Sequence, residues 1–561
     1  MRRLLLAASV ALLGLVLSVA GCIAAKDAGG GTAATTAAIS TADLQQRLRL
    51  IADDSMMGRE SGGKGDDEAA AYVASEFRRL GLEPAGKNGT YFQTVPLWRL
   101  TPDSTSVLVV GADTLRLGRD FATYGSFPQQ TLANTRAVLG GSGMDSAHWI
   151  GRREAAGRIV VLDLPAGLPR SDPQPLVQRW RDATVVAITG LEKFPPALVA
   201  QFLRGGMLIP DSSLDPHALR LLIITRRAAG ILLGGSPGEL TPGTPGRAVS
   251  GRFGFRVTPV AYPARNVIGI LRGSDPALRG EYVALSAHHD HVGFDHSPVD
   301  HDSLRAYDRV VRPQGADSPP RQPTAEESAR VHAILDSLRA LRPPRADSIR
   351  NGADDDGSGT VSLLEIAEAM ARGPVRPRRS ILFISHTGEE AGLLGSAWFT
   401  DHPTVPLDSI VGEIDQDGVG RGERTDRPIH GTGAGGPTYL EEMGATRLSK
   451  AFGATLDSVN GRQPVPFVFY RGYDQPGDPY NYFCRNDAYN YARYGIPTVS
   501  LSRGEHLDYH EVTDEEQYID YPDLARVTTL VRDVAMVLAN APARPKLDHP
   551  KPKDPHAPCR Q

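Results

Sequence analysis

Cysteine is scarce in this sequence: three residues in 561, at positions 22, 484 and 559. None of the three has metal-type spacing to another, so no cysteine chemistry is expected. A disulfide is possible in an exported chain, but Cys559 lies in a Pro/Lys/His tail, "ARPKLDHPKPKDPHAPCRQ", that reads as disordered over 541–561. Charge of one sign is lacking as well. The 61 Lys and Arg are interspersed among 65 Asp and Glu, for a net charge of -4. That balance excludes nucleic acid as a partner. The apolar run from Leu4 to Ala20 is short for a stable membrane span.

That run has a different use. It follows two arginines and leads into Val19-Ala20-Gly21-Cys22, small residues directly before a cysteine. The segment reads as a signal peptide over 1–21 and resembles the lipobox of bacterial lipoproteins. The resemblance implies a lipid on Cys22, membrane attachment through that lipid, and a place in the bacterial cell envelope, exported to the periplasm or an outer face. The small-residue stretch behind it makes 22–41 a flexible tether.

From Thr41 the pattern is globular. Asp66 to Leu80 has the spacing of an amphipathic helix, with Gly81 placed as its left-handed cap. The region 98–258 carries short β-like runs such as "SVLVV" and "GRIVVLDL" and reads as an inserted, strand-rich domain. Around it, 42–97 and 259–540 form one domain. There "RNVIGIL", "EYVALSA" and "RSILFIS" are near-continuous apolar runs, as buried strands of a largely parallel sheet should be. The expected fold is therefore α/β: a mixed, mostly parallel central sheet flanked by helices, with an inserted β-rich domain. An Asp/Pro/Arg-rich insertion at 294–345 is expected to carry one helix, opened by the capping box Thr324–Glu327. "DHSPVDHD" just before that helix reads as a solvated loop.

Five acidic or histidine-bearing patches carry the chemistry: "SAHHDHVG", "NGADDDGSG", "HTGEEAGLLGS", "EIDQDGVG" and "GEHLDYHEVTD". Four of them end or follow strand-like runs, and in open α/β sheets ligands gather beyond the carboxyl ends of the strands. Adjacent carboxylates such as Asp354-Asp355-Asp356 and Glu389-Glu390 repel one another. Gathered in one cleft, they require cations. Imidazole and carboxylate suit zinc.

In this order, and with softer matches such as "ARNVIGILRGSDP" and "YGIPTVSLS", the chain resembles the co-catalytic dizinc exopeptidases. That family holds bacterial zinc aminopeptidases, glutamate carboxypeptidases and glutaminyl cyclases. The 98–258 region is similar to a protease-associated domain. The resemblance implies two Zn2+ ions per chain, held by His288, Asp355 as the bridge, Glu390, Asp415 and His510. Asp417 competes for the place given to Asp415, because "EIDQDG" departs from the family's "NLDM"-like pattern; Asp415 is favoured. Asp290 is expected to orient the His288 ring, with His289 and His291 in supporting roles. Glu389 is expected to be the general base, and Tyr509 to donate to the developing oxyanion.

The function implied is an exported metallopeptidase acting on peptides as an aminopeptidase. The alternatives are a carboxypeptidase of the same family, with Arg485 or Arg503 in a basic pocket, or a non-catalytic, lipid-anchored peptide-binding module. Two departures bear on specificity: Asp487-Ala488 stands where relatives often read "DH", and the 294–345 insertion is unusual.

Overall fold

The computed structural model describes residues 35–557 and 559, save 125–126, 165–176, 195–198, 200–202, 204, 211–219, 320, 423–434 and 479–480. The signal segment, Cys22 and most of the tether lie outside the described residues. No described helix is long and apolar enough to cross a membrane.

The central sheet holds nine described strands: β1 (Glu83–Pro84), β2 (Phe92–Val95), β3 (Ala264–Leu271), β4 (Tyr282–His288), β5 (Ser380–His386), β6 (Ile410–Gln416), β7 (Tyr439–Met443), β8 (Val468–Tyr470) and β9 (Thr498–Ser502). Their order is β1-β3-β5-β4-β6-β9-β7-β8, with β2 also pairing to β3. The heart, β5-β4-β6-β9, is parallel, while β3 and β7 run antiparallel to it. The expected mixed sheet with a parallel centre is the one observed.

The helices that position the site are α1 (Thr41–Ile51), α2 (Lys64–Arg79), α3 (His301–Val311), α4 (Ala325–Arg339), α5 (Gly359–Arg372) and α6 (Tyr521–Asn540). Alternation along β4 shows why its run is apolar throughout. Val283, Leu285 and Ala287 join Leu363 of α5 and Val531 of α6 in one core. Tyr282 and Ala284 join Phe399 and Tyr491 on the other face. Truncating a residue such as Leu285 to Ala therefore costs about 2–5 kcal/mol. Gly81 follows α2 at φ 72, a left-handed position that favours glycine.

The segment between β2 and β3 leaves the central sheet and builds its own. Eight described strands there run in the order 113–116, 107–110, 245–253, 130–142, 159–163, 185–189, 221–224, 121–124. A small three-stranded sheet (Trp98–Pro102, Gly206–Leu208, Phe255–Pro259) lies beside the chain crossings.

Three expectations need correction. The 294–345 insertion carries two helices, α3 and α4, and "DHSPVDHD" is not a solvated loop. Phe294–Asp300 is a strand paired with Ala346–Ile349. His301 is buried with its Nε2 3.2 Å from Glu515, and Asp302 is buried between Arg339 and Arg342. The sequence hid α3 because its capping residue, Asp300, sits among other acids and histidines that read as solvent-facing. The C-terminal segment is also not free: Cys484 and Cys559 form a disulfide. The Asp548 carboxylate accepts the Lys450 N–H at 2.7 Å, and Arg544 pairs with Glu281 at 2.8 Å. Polar composition alone does not mean disorder when a covalent link and polar contacts to the folded domain hold the chain down.

Candidate metal centre and active site

The site lies where the parallel strands end. β4 delivers His288 as its last residue, the turn after β5 carries Glu389 and Glu390, and Asp417 follows β6 directly. Asp354–Asp356 form an irregular turn just before α5, with a cis peptide between Asp355 and Asp356. Gly359 opens α5 because nothing larger fits: a Cβ there would stand 2.6 Å from both Asp356 Oδ1 and the Gln416 carbonyl. His510 adopts φ 56, a left-handed conformation uncommon for histidine and typical of positions held by their surroundings.

Asp355 is the centre of the arrangement. Its Oδ1 lies 3.3 Å from His288 Nε2, and its Oδ2 lies 2.8 Å from His510 Nε2. The carboxylate therefore faces two separate donor sets. On one side, His288 Nε2 is also 3.6 Å from Asp417 Oδ1 and 4.0 Å from Glu389 Oε2. On the other, Glu390 offers Oε2 at 3.1 Å from His510 and Oε1 at 2.8 Å from His291 Nδ1. Although these distances are short, His288 Nε2, His291 Nδ1, Asp355 Oδ2 and Glu390 Oε1 are buried without a partner in hydrogen-bond geometry. Unsatisfied buried nitrogens and carboxylate oxygens converging in two groups are what a pair of divalent cations requires.

Asp415 does not take the place expected for it. It lies within β6, paired to Ser286 and Ser500 across the sheet, and accepts hydrogen bonds from their hydroxyls at 2.9 and 3.0 Å. Asp417, two residues on, leaves the strand and reaches the cluster. The period-2 alternation puts both on one side of the chain, so spacing alone could not choose between them. Asp356 is also close to His288 and Asp417, but its oxygens already accept the main-chain N–H groups of His288, Gly359 and Gly418. It shapes the turn and leaves the coordinating positions to its neighbours.

The surrounding groups fix these side chains. His288 Nδ1 is 3.1 Å from the main-chain oxygen of Asp290, with the Asp290 carboxylate farther away at 3.6 Å. That carboxylate instead accepts from Ser61 Oγ at 2.6 Å and from the Glu389 N–H at 3.2 Å. Asp290 thus orients His288 mainly through its backbone and holds the Glu389 turn through its side chain. His289 turns away, with Nδ1 2.8 Å from Ser385 Oγ and Nε2 3.4 Å from Asp66. His291, expected to support, stands in the cluster itself. Asp514 accepts the N–H groups of Asp354 and Asp355, and His506 approaches Asp354 Oδ2 at 3.1 Å. The fully buried Arg59 donates to the carbonyls of Ile51, His289, Asn351 and Gly352, tying α1, the end of β4 and the aspartate turn together.

Electrostatics separates the two adjacent glutamates. Burial, opposed by His288 but reinforced by Asp417 and Glu390, pushes the Glu389 carboxyl well above the usual range. Burial would raise Glu390 too, yet His510 and His291 bring it down to about 2. Asp355 is likewise held well below the ordinary carboxylate range, against its burial, by His288 and His510. The two adjacent carboxyls thus differ in proton affinity, Glu389 binding a proton more tightly than Glu390, a separation typical of acid–base sites. The Tyr509 ring stacks on His510 at 4.0 Å and lines a cavity together with Asp355, Glu389 and Asp417; burial and the nearby Asp355 and Glu390 keep its hydroxyl protonated. Asp487 and Ala488 do not join the cluster; Asp487 accepts a hydrogen bond from Ser396.

Residues 266–535 match the family described as "Peptidase family M28". The resemblance drawn from the motifs is borne out over that segment, which contains every strand-end patch of the site. The chain is 34% identical over 161 residues to a Leucine aminopeptidase 1 of Coccidioides posadasii, covering 28% of this chain and 37% of that protein. It is 29% identical over 201 residues to a Leucine aminopeptidase 1 of Paracoccidioides brasiliensis, covering 34% and 47%. The chain thus spans less than half the length of these relatives. The fold is similar to the aminopeptidase from Aneurinibacillus sp. strain AM-1, with a TM-score of 0.53 at 13% identity, covering 92% of this chain and 97% of that one.

Proposed function

We propose that the chain is a two-zinc aminopeptidase that removes N-terminal residues from peptides. The observation that carries this reading is Asp355, whose two oxygens face His288 and His510 separately. His288, Asp355 and Asp417 would hold one ion; Asp355, Glu390 and His510 the other, with His291 beside it. When bound, such a pair polarises a carbonyl and makes water a better nucleophile. Glu389, with Oε2 4.0 Å from His288 Nε2 yet outside both groups, takes a proton from the attacking water and delivers it to the leaving amine. Its raised proton affinity suits that exchange. Tyr509, protonated and facing the cavity, donates to the developing oxyanion.

The carboxypeptidase alternative needs a free cation for a terminal carboxylate. Arg503 does not offer one: it donates to the Arg421, Tyr439 and Gly436 carbonyls and pairs with Asp523 at 2.8 Å. Arg485 does line the cavity, but among carboxylates. For location we propose export and a lipid on Cys22; a disulfide between Cys484 and Cys559 suits an oxidising compartment. The 98–258 region is proposed, on resemblance, as a protease-associated domain. Hydrolysis of aminoacyl-chromogenic substrates tests the activity. Wild type should cleave them and lose that activity to a chelator, and Glu389→Gln should be inactive with its metal retained. Metal-loaded protein that cleaves none of them would reject the reading.

A further inference from the structure

The two histidines that face Asp355 rest on different supports. His288 ends β4, where pairing to β5 and β6 fixes the chain that leads to it. His510 has no strand under it. It stands in a turn between β9 and α6, where the Tyr509 N–H donates to the His506 carbonyl at 3.1 Å and the Glu511 N–H to the Asp508 carbonyl at 3.0 Å. Its φ of 56 is a conformation that costs a non-glycine residue about 1–3 kcal/mol and persists only where the surroundings impose it.

The 294–345 insertion meets this turn on both sides of His510. Two residues before it, the buried Asp508 takes a two-point contact from Arg305 of α3, Nε to Oδ1 at 3.1 Å and Nη2 to Oδ2 at 3.2 Å. One residue before it, the Tyr509 carbonyl accepts the Ala316 N–H at 3.0 Å. Gly315 lets the chains come that close, for a Cβ there would stand 2.5 Å from the same carbonyl. One residue after, the Glu511 carboxylate lies 2.9 Å from Arg312, directly behind α3. Glu515 then faces His301, the first residue of α3, at 3.2 Å. From the core side, Arg421 pairs with Asp508 at 2.9 Å and with Asp514 at 3.2 Å. These contacts bracket His510 and leave its Nε2 2.8 Å from Asp355 and 3.1 Å from Glu390.

The pairs are not screened surface contacts. The Arg305 and Arg312 side chains are 12% and 13% exposed, and Asp508 is fully covered. Arg339 of α4, by contrast, pairs with Asp300 and Asp302 inside the insertion. We propose that the insertion is a clamp on a metal ligand, with Arg305 and Arg312 as positioning residues that hold His510 for the ion it shares with Asp355 and Glu390. This rests on the two-zinc reading and gives the insertion a task within it. The ion at His288 does not depend on the clamp, because β4 carries that ligand.

The test titrates zinc into metal-free wild type, the double variant Arg305→Met with Arg312→Met, Arg305→Lys and Arg339→Met, against a competing chromogenic chelator. Hydrolysis of aminoacyl p-nitroanilides is followed beside it. Wild type should bind two ions. The double variant should hold one of them as wild type does and the other about 10–100-fold more weakly, and activity lost at limiting zinc should return as zinc is raised. Arg305→Lys keeps the charge but not the two-point contact, so it should fall between, and it decides the matter if the double variant does not fold. Arg339→Met should match wild type. Wild-type affinity for both ions in the double variant, or in Arg305→Lys where that variant alone folds, would overturn the proposal. Equal weakening of both ions, or the same loss in Arg339→Met, would assign the arginines to general stability and overturn it too. Wild type that binds two ions and cleaves nothing would reject the aminopeptidase reading, while the titration still decides the clamp. Wild type that binds fewer than two ions would reject both.

Discussion

Two parts of this molecule crowd buried carboxylates, and they resolve the crowding differently. Between α1, α2 and α5, Glu76, Glu365 and Glu368 surround Arg47, which is 1% exposed and donates to all three. Arg79 bridges Glu76 and Glu368, and Arg372 adds a further pair to Glu368. Acids and guanidiniums are matched there, and the network serves packing. At the strand ends Asp355, Glu389, Glu390 and Asp417 meet imidazoles, the nearby Arg59 gives its N–H groups to carbonyls, and donors are left without partners. A buried acid cluster satisfied by arginine is structural; one whose oxygens and nitrogens face each other unsatisfied is a place for cations.

Breaking the second cluster should have the largest effect. Asp355→Asn or Glu390→Gln should lower kcat/KM on the order of 10³-fold or more and reduce bound metal, as elemental analysis would read. Glu389→Gln should cost about 10²–10⁴-fold in kcat with metal content unchanged. The pair Asp417→Asn and Asp415→Asn sharpens the comparison within one strand end. The first should lose metal; the second should keep it and lose about 1–3 kcal/mol of stability through its serine partners, measured by denaturant unfolding. In the matched network, Arg47→Met should cost about 3–5 kcal/mol of stability by stranding three glutamates, while kcat of the folded fraction stays at the wild-type value.

The smallest effect is a pH slope in that network. Burial, opposed by Arg47, pushes Glu365 up to about 7 from its ordinary 4.5. A raised carboxyl binds its proton more tightly folded than unfolded. Its stabilisation is therefore full below pH 4.5 and is lost as pH rises towards 7, on the order of 1–3 kcal/mol. Glu365→Gln should flatten that part of the stability profile; an unchanged slope would place the titration elsewhere.

Much of the site was legible in the sequence because its residues sit at the ends of apolar runs. β3, β4 and β5 read as strands, four of the five patches end or follow strand-like runs, and strand ends in a parallel sheet share one edge. What was missed has a common physical cause. Asp415 and Asp417 lie on the same side of an extended chain, and only the point where β6 stops separates them. His291 is one of three histidines in four residues, and its approach to Glu390 depends on the chain turning after β4. Arg305 and Arg312 belong to no motif, since long-range packing alone brings them to the His510 turn. The disulfide was discounted because tail composition says nothing about a covalent partner 75 residues away.

The most direct test of the central claim is the number of zinc ions bound per chain in purified wild type, by elemental mass spectrometry. The account predicts about two, falling to about one in Asp417→Ala while Asp415→Ala keeps both. One ion or none in wild type would contradict it.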